Sequence, residues 1–406
     1  MASDGSAHSW ASLPKAMSKS VDSLNKALNN DQQWQAFVDT NAITEPVTMG
    51  VQSAGGEAIL VKVEPGAKTS VSTGSADKAD FTLAAKPEQW EQFFAADPKS
   101  PYTSFVGLQG MNIKQEGVGI QGDQVRFAQY GHLATRLLEL LREGLHGPIE
   151  QFEQDTYTED HIIGKYVWLE AAGWGRTKIF YESSGDGPQQ IVFCHTAGSD
   201  SRQYHGVMNH PEMMKKCTMI AFDLPAHGRS FPSSNYVPGN HTNDEDKYVG
   251  TIAAVIKTLK LDKPIVCGAS MAGQSPVVNQ SLFNPDWIYG MMAPKSPHLN
   301  KQLIWHMYSG QAYGIFHGDL DFYFGGFDAR DRVGQINVKK CPIYFLTGEY
   351  DWSTTPDMSK ATADKIKGAN FKAMDNLGHF PATENPKKFV PYLLDAIEWI
   401  QKTREG

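Results

Sequence analysis

From residue 161 onward, short apolar runs alternate with longer amphipathic ones. Gln190 to Cys194, Thr218 to Phe222, Ile265 to Cys267, Trp287 to Met292, Ile343 to Thr347 and Phe371 to Asp375 have strand character. Ser201 to Lys215, the stretch from Gln274, and Phe389 to Gln401 read as helices between and after them. Val249 to Leu259 is the clearest helix, because Ile252, Val255, Ile256 and Leu259 recur every three to four residues. Ile162 to Ala171 and Thr177 to Tyr181 read as a hairpin across Gly173, Trp174 and Gly175. Strands alternating with helices predict an α/β domain over 161–402, with a mostly parallel sheet covered on both faces.

The first 150 residues have a different rhythm. Ser18 to Val38 carries a helical stripe of Val21, Leu24, Leu28, Trp34 and Phe37. Glu57 to Val63, Ala79 to Leu83, Met111 to Glu116 and Gln121 to Phe127 read as strands. Pro87 opens a short helix to Ala95, and Leu133 to Leu145 is a final amphipathic helix. These elements predict a smaller α+β domain over 18–147. Residues 1–17 read as a flexible start, and the acidic, polar run 148–160 as a linker.

A chain of 406 residues fits two domains better than one. The net charge of -8, without a long basic run, makes nucleic acid a poor partner. No stretch of about 20 apolar residues is present, so no membrane span is expected. The N-terminus lacks the basic start and apolar core of a secretory signal. Cys194, Cys217, Cys267 and Cys341 sit in or beside apolar runs, which suits buried free thiols. A cytoplasmic protein is the expectation.

The candidate chemistry gathers where the second-half strands end, which is where open α/β sheets bind ligands. Ile265, Val266 and Cys267 lead into Gly268-Ala269-Ser270-Met271-Ala272. Small residues let a strand turn sharply into a helix, with Ser270 at the apex as a nucleophile. The fifth place of the usual Gly-x-Ser-x-Gly elbow is Ala272 here. His195-Thr196-Ala197-Gly198 follows one strand, and Asp223-Leu-Pro-Ala-His227-Gly-Arg-Ser230 another. Glu349 and Asp351 follow a third, and His379 lies beyond the last. His195, Asp223 and His227 form no compact ligand motif, so no metal is expected.

Taken together and in this order, these motifs resemble the α/β-hydrolase superfamily over 161–402. The resemblance implies a nucleophile, acid, histidine order, which Ser270, Asp351 and His379 match, with Glu349 as the alternative acid. A serine hydroxyl needs a base within reach, and the base needs a carboxylate to fix its tautomer. The oxyanion donors expected are the N–H of Met271 and of Ala197, with the Thr196 hydroxyl as an addition. The family usually has glycine at the place of Thr196. His195 is expected to brace its loop, not to react.

A cap is expected at about 294–340, between two core strands. Trp305, Tyr308, Tyr313, Phe316, Phe322 and Tyr323 are its candidate pocket residues. The implied reaction is hydrolysis of an apolar or aromatic carboxylic ester or lactone through an acyl-enzyme, with no cofactor. Diketone cleavage at a carbon–carbon bond, or thioester hydrolysis, is the alternative within the family. A catalytically inactive protein that binds an apolar small molecule is the alternative outside it.

Residues 20–145 resemble sterol-carrier-protein-2-like domains. Ala79 to Leu83, the helix around Trp90 and Ile120 to Asp123 carry that likeness. It implies a cavity for an apolar ligand; a homodimerising or packing module with a filled core is the other reading.

Overall fold

The computed structural model describes residues 21–39, 43–53, 56–66, 68–110, 117–268, 280–322 and 327–405. They divide into two compact units, meeting in sequence at residues 150 and 151.

In the first unit, strands β1 (Val47–Ser53), β2 (Ala58–Glu64), β3 (Lys68–Gly74), β4 (Phe81–Ala85) and β5 (Gly119–Gly122) form one sheet, in the order β3-β2-β1-β4-β5. β1 and β4 are parallel, and the other pairs are antiparallel. The core is aromatic: Trp34, Phe81, Trp90, Phe93 and Phe94 are buried. Buried indoles keep a polar handle that needs a partner. Trp34 Nε1 donates to Thr69 Oγ1 at 2.9 Å, and Trp90 Nε1 to the Gln52 carbonyl at 2.9 Å.

The stripe at 18–38 becomes two helices, Val21–Asn30 and Gln32–Asp39. The strand expected over Gln121 to Phe127 stops at Gly122. Asp123 accepts the N–H groups of Val125 and Arg126 and starts the helix Gln124–Tyr130. An aspartate N-cap outweighs the apolar alternation there. The strand expected over 111–116 lies outside the described residues.

In the second unit, β6 (Ile163–Ala171) and β7 (Gly175–Ser184) form the hairpin. β8 (Gln189–Cys194), β9 (Cys217–Phe222) and β10 (Ile265–Gly268) complete a sheet ordered β10-β8-β9-β7-β6. β10, β8 and β9 run parallel, while β7 and β6 are antiparallel, so the sheet is mixed. β11 (Tyr344–Gly348) and β12 (Asn370–Met374) make a separate parallel pair.

β8 shows why this region folds as it does. Its side chains alternate between the two faces of the sheet, as a strand requires. Ile191 and Phe193 pack with Met374, Leu377, Phe389 and Leu393 of the C-terminal segment. Val192 and Cys194 pack with Ile179, Trp174 and Val255. Register sets Cys194 opposite both Phe222 and Gly268, so three strand ends lie level at one edge.

Two expected elements differ. Trp287 to Met292 is not a strand: helix Gln280–Tyr289 runs through Trp287, and Met291 and Met292 lie in the turn after it. A short apolar run suits a buried helix end as well as a strand. Ser201 to Lys215 breaks into Ser201–Tyr204, His205–Met208 and Pro211–Lys216, because Pro211 starts a new turn. All four cysteines are free thiols, but Cys341 is exposed. No helix among the described residues is long and apolar enough to cross a membrane.

Candidate active site

The turns after β11 and β12 meet because those strands are parallel and level. Gly348 pairs with Met374, and the Tyr350 N–H donates to the Leu377 carbonyl at 2.9 Å. Asp351 and His379 sit on these turns, both buried. His379 Nδ1 lies 2.7 Å from Asp351 Oδ2. Asp351 Oδ1 accepts the N–H groups of Ser353 and Thr354 at 3.0 and 2.9 Å, which fixes the carboxylate. A carboxylate facing Nδ1 puts the proton there. The lone pair is therefore on Nε2, which has no partner among the described residues.

Glu349 points elsewhere. It is exposed, and its Oε2 accepts the Asn376 N–H at 3.0 Å, bracing the turn. Consecutive alternation in an extended segment would have put 349 and 351 on one side; the turn separates them.

A second carboxylate holds the histidine loop from behind. Glu384 Oε1 accepts the N–H groups of Gly378 and Phe380 at 2.9 and 3.1 Å, on both sides of His379. Its Oε2 accepts the Ala293 N–H at 2.7 Å and the Ser296 hydroxyl at 2.8 Å. Burial raises the Glu384 pKa, and these four donors offset part of that rise. Sequence reasoning missed Glu384, which carries no motif signal.

The loop after β8 is held from the core. His195 Nδ1 donates to the Thr196 carbonyl at 2.8 Å, and His195 Nε2 accepts the Leu224 N–H at 3.0 Å. Both contacts require a neutral ring, and burial keeps it so by lowering its pKa to about 4. The Ser199 N–H reaches the same Thr196 carbonyl at 3.1 Å. A trans peptide points its C=O and N–H in opposite directions. Pinning the Thr196 carbonyl therefore turns the Ala197 N–H away from His195.

Neighbouring donors are already occupied. The Thr196 N–H and hydroxyl both donate to Gln203 Oε1, at 3.0 and 3.2 Å. The Tyr308 hydroxyl, 2.6 Å from Thr196 Oγ1, then donates to it. Thr196 thus has no proton left for an oxyanion, contrary to the expectation for its hydroxyl. The Gly198 N–H donates to Asp319 Oδ2 at 3.0 Å. The Ala197 N–H has no partner among the described residues, although Ala197 is 2% exposed. Buried backbone donors without a partner are rare.

Asp319 lies on the helix Ile315–Asp321 and is fully buried. Its Oδ2 also takes His227 Nε2 at 2.7 Å, and its Oδ1 takes His241 Nε2 at 3.0 Å and Asn243 Nδ2 at 3.3 Å. His227 Nδ1 faces the Pro225 carbonyl at 3.0 Å. Both ring nitrogens of His227 therefore face acceptors, which makes it an imidazolium. Burial lowers its pKa, but the Asp319 charge wins and the net shift is upward. Ligand atoms of His227, His241 and Asp319 all lie within 4.8 Å, a spacing a metal ion could also bridge. Each histidine nitrogen sits at hydrogen-bond distance from its own carboxylate oxygen, as an N–H donor does.

Residues 191–391 match the model of the alpha/beta hydrolase family. The second unit belongs to that family. Among solved structures, the chain is similar to a thermophilic esterase from Thermogutta terrifontis, at 18% identity and a TM-score of 0.48. That match covers 59% of this chain and 99% of the other. It is also similar to the enol-lactonase from Burkholderia xenovorans, at 16% identity and a TM-score of 0.47, covering 57% and 100%. A 99-residue stretch is 30% identical to the dihydrolipoyllysine-residue acetyltransferase component of the acetoin cleaving system of Pseudomonas putida. It covers 24% of this chain and 25% of that protein, so the chain spans about a quarter of the relative's length.

In the hydrolase unit, the segment 294–340 holds the helices His298–Ser309 and Ile315–Asp321. Tyr308, Phe316 and Phe322 are buried with Ala197 and Phe380 in one apolar cluster. Tyr308 meets Phe316 and Phe380 edge-on, with ring centroids 5.6 and 5.9 Å apart. Trp305 is half-buried. Tyr313 is 70% exposed, so it does not line an enclosed pocket; it lies in the turn between the helices His298–Ser309 and Ile315–Asp321. Ser270, Met271 and Tyr323 lie outside the described residues.

Proposed function

We propose that the hydrolase unit is a serine hydrolase of apolar or aromatic carboxylic esters or lactones. The observation that supports it most is the buried His379–Asp351 pair, which leaves Nε2 as a base without a partner among the described residues.

In this reading Ser270 attacks the carbonyl carbon while His379 Nε2 takes its proton. Asp351 stabilises the imidazolium so formed. The tetrahedral oxyanion accepts the Ala197 and Met271 N–H groups. On collapse, His379 returns the proton to the leaving alkoxide and an acyl-Ser270 remains. Water, deprotonated by His379, then cleaves the acyl-enzyme and restores Ser270. The apolar cluster of Tyr308, Phe316 and Phe380 beside Ala197 supports an apolar acyl or alcohol group.

A fluorophosphonate probe tests the nucleophile. Labelling of the whole protein that disappears in Ser270→Ala is expected; labelling of neither sinks the reading. A panel of p-nitrophenyl esters, aromatic lactones and diketones tests the substrate class. Turnover of diketones with none of the esters or lactones would replace the substrate class with carbon–carbon bond hydrolysis.

A further inference from the structure

Asp319 lies outside the triad, on a cap helix, and yet it ends at the oxyanion loop. The peptide before Ala197 is pinned from the core by His195 and Ser199. The peptide after Ala197 is pinned from the cap, because its N–H, on Gly198, donates to Asp319. We propose that Asp319 is a positioning residue for acyl transfer, holding the Ala197–Gly198 peptide so that the Ala197 N–H stays presented to the oxyanion. The proposal rests on the serine-hydrolase reading.

Three features of the cap helix serve this contact. Phe316 packs against Gly198, where a Cβ would come within 2.5 Å of the ring, and Gly198 has a φ of +61° that favours glycine. Gly318, next to Asp319, passes so close to the His241 carbonyl that an added Cβ would overlap it. Asp319 itself takes four donors on two oxygens, so its carboxylate cannot rotate without breaking at least two hydrogen bonds. The His227 imidazolium balances its charge, which lets an ionised acceptor sit fully buried. Removing the cap's carboxylate would free the Gly198 peptide to turn, and the Ala197 donor with it. An oxyanion donor misplaced in this way affects the transition state more than substrate binding.

The test compares Asp319→Ala, which leaves no acceptor for the Gly198 N–H, with the wild-type chain on p-nitrophenyl butyrate, with Ser270→Ala in parallel. The inhibition constant of an aryl trifluoromethyl ketone, which forms a tetrahedral oxyanion on serine, is measured for each active form. For Asp319→Ala that is folded by circular dichroism, kcat is expected to fall about 10²-fold with KM within about threefold. The ketone should bind weaker by the same factor as the loss in kcat/KM. Wild-type kcat, or a loss confined to KM with ketone binding retained, would overturn the proposal. If Asp319→Ala does not fold, His241→Phe carries the test, since it removes one donor from Oδ1 and keeps a ring stacked on Trp174, whose centroid lies 5.2 Å from that of His241. It should lower kcat at least threefold with matching loss of ketone binding, and an unchanged kcat would overturn the proposal. Wild-type turnover abolished by EDTA and restored by zinc would also overturn it, in favour of a bound metal. Turnover that survives in Ser270→Ala would instead sink the serine-hydrolase reading, whatever Asp319 does.

Discussion

Glu384 grips the two peptides that flank His379: the Gly378 N–H donates to its Oε1 at 2.9 Å, and the Phe380 N–H at 3.1 Å. The other oxygen takes Ala293 and Ser296, so one buried carboxylate ties the His379 loop to the chain just after the helix Gln280–Tyr289. Glu384→Gln would turn an NH₂ toward one of these donor pairs. Stability is expected to fall by about 3 kcal/mol, the cost of leaving two buried donors unpaired. Urea denaturation measures it. Turnover of p-nitrophenyl butyrate should fall at least about tenfold, through His379 misplacement. An equally stable and equally active variant would remove Glu384 from the account.

Asp351 and Glu349 separate cleanly in their expected effects. Asp351→Asn would favour the wrong His379 tautomer, and kcat is expected to fall by about 10⁴-fold. Glu349→Gln keeps an acceptor for Asn376 and should stay within about twofold of wild type. Steady-state kinetics on the same ester decides, and the reverse ranking would reassign the acid.

His132 makes the first unit sensitive to acid. It is 4% exposed, and burial lowers its pKa to about 4, well below the ordinary value of about 6.5. A histidine that stays neutral when folded binds its proton first in the unfolded chain. Its stabilising effect is therefore full above about pH 6.5 and is lost as pH falls toward 4. Between pH 7 and pH 5 the loss should be about 2 kcal/mol. Chemical denaturation at both pH values is expected to show a smaller drop for His132→Leu. Equal slopes in the two proteins would contradict this origin.

The His227–Asp319 pair works in the opposite direction. The folded pKa of His227 is raised, so its contribution is full below about pH 6.5 and is lost as pH rises through the folded value. The Asp319 pKa is lowered: burial opposes this, but the His227 charge and the two histidine hydrogen bonds outweigh it. That contribution is present above about pH 4 and is lost as pH falls through the folded value. His227→Ala leaves the carboxylate without its main partner, and should cost about 3–5 kcal/mol at pH 6. Urea titration at pH 6 and pH 9 checks the size and the direction; a cost that grows with pH would contradict the pairing.

Gly318→Ala tests how closely the helix Ile315–Asp321 must approach. An added methyl would overlap the His241 carbonyl, which is backbone and cannot swing aside. A loss of about 1–3 kcal/mol is expected, read as a lower unfolding midpoint. No change would mean that the helix has room to shift.

The alternation of apolar strands and amphipathic helices was enough to read the α/β character of the second unit. Period is a local property, so β6 to β9 and the helix Glu245–Thr258 were legible within a few residues. The motif order also brought Asp351 and His379 forward as candidates, because a strand end followed by a turn is local as well. The sequence could not separate Asp351 from Glu349, since two residues on a turn can face opposite ways. It could not show that the Thr196 hydroxyl is spent on Gln203, or that Asp319 reaches from the helix Ile315–Asp321 to Gly198. Nor could it find Glu384, an ordinary glutamate near a proline until the fold surrounds it with four donors. Hydrophobic period acts over one or two turns of chain, and so it is written in the sequence. Hydrogen-bond satisfaction in a buried site is settled among residues far apart in the chain, and only tertiary packing decides which donor meets which acceptor.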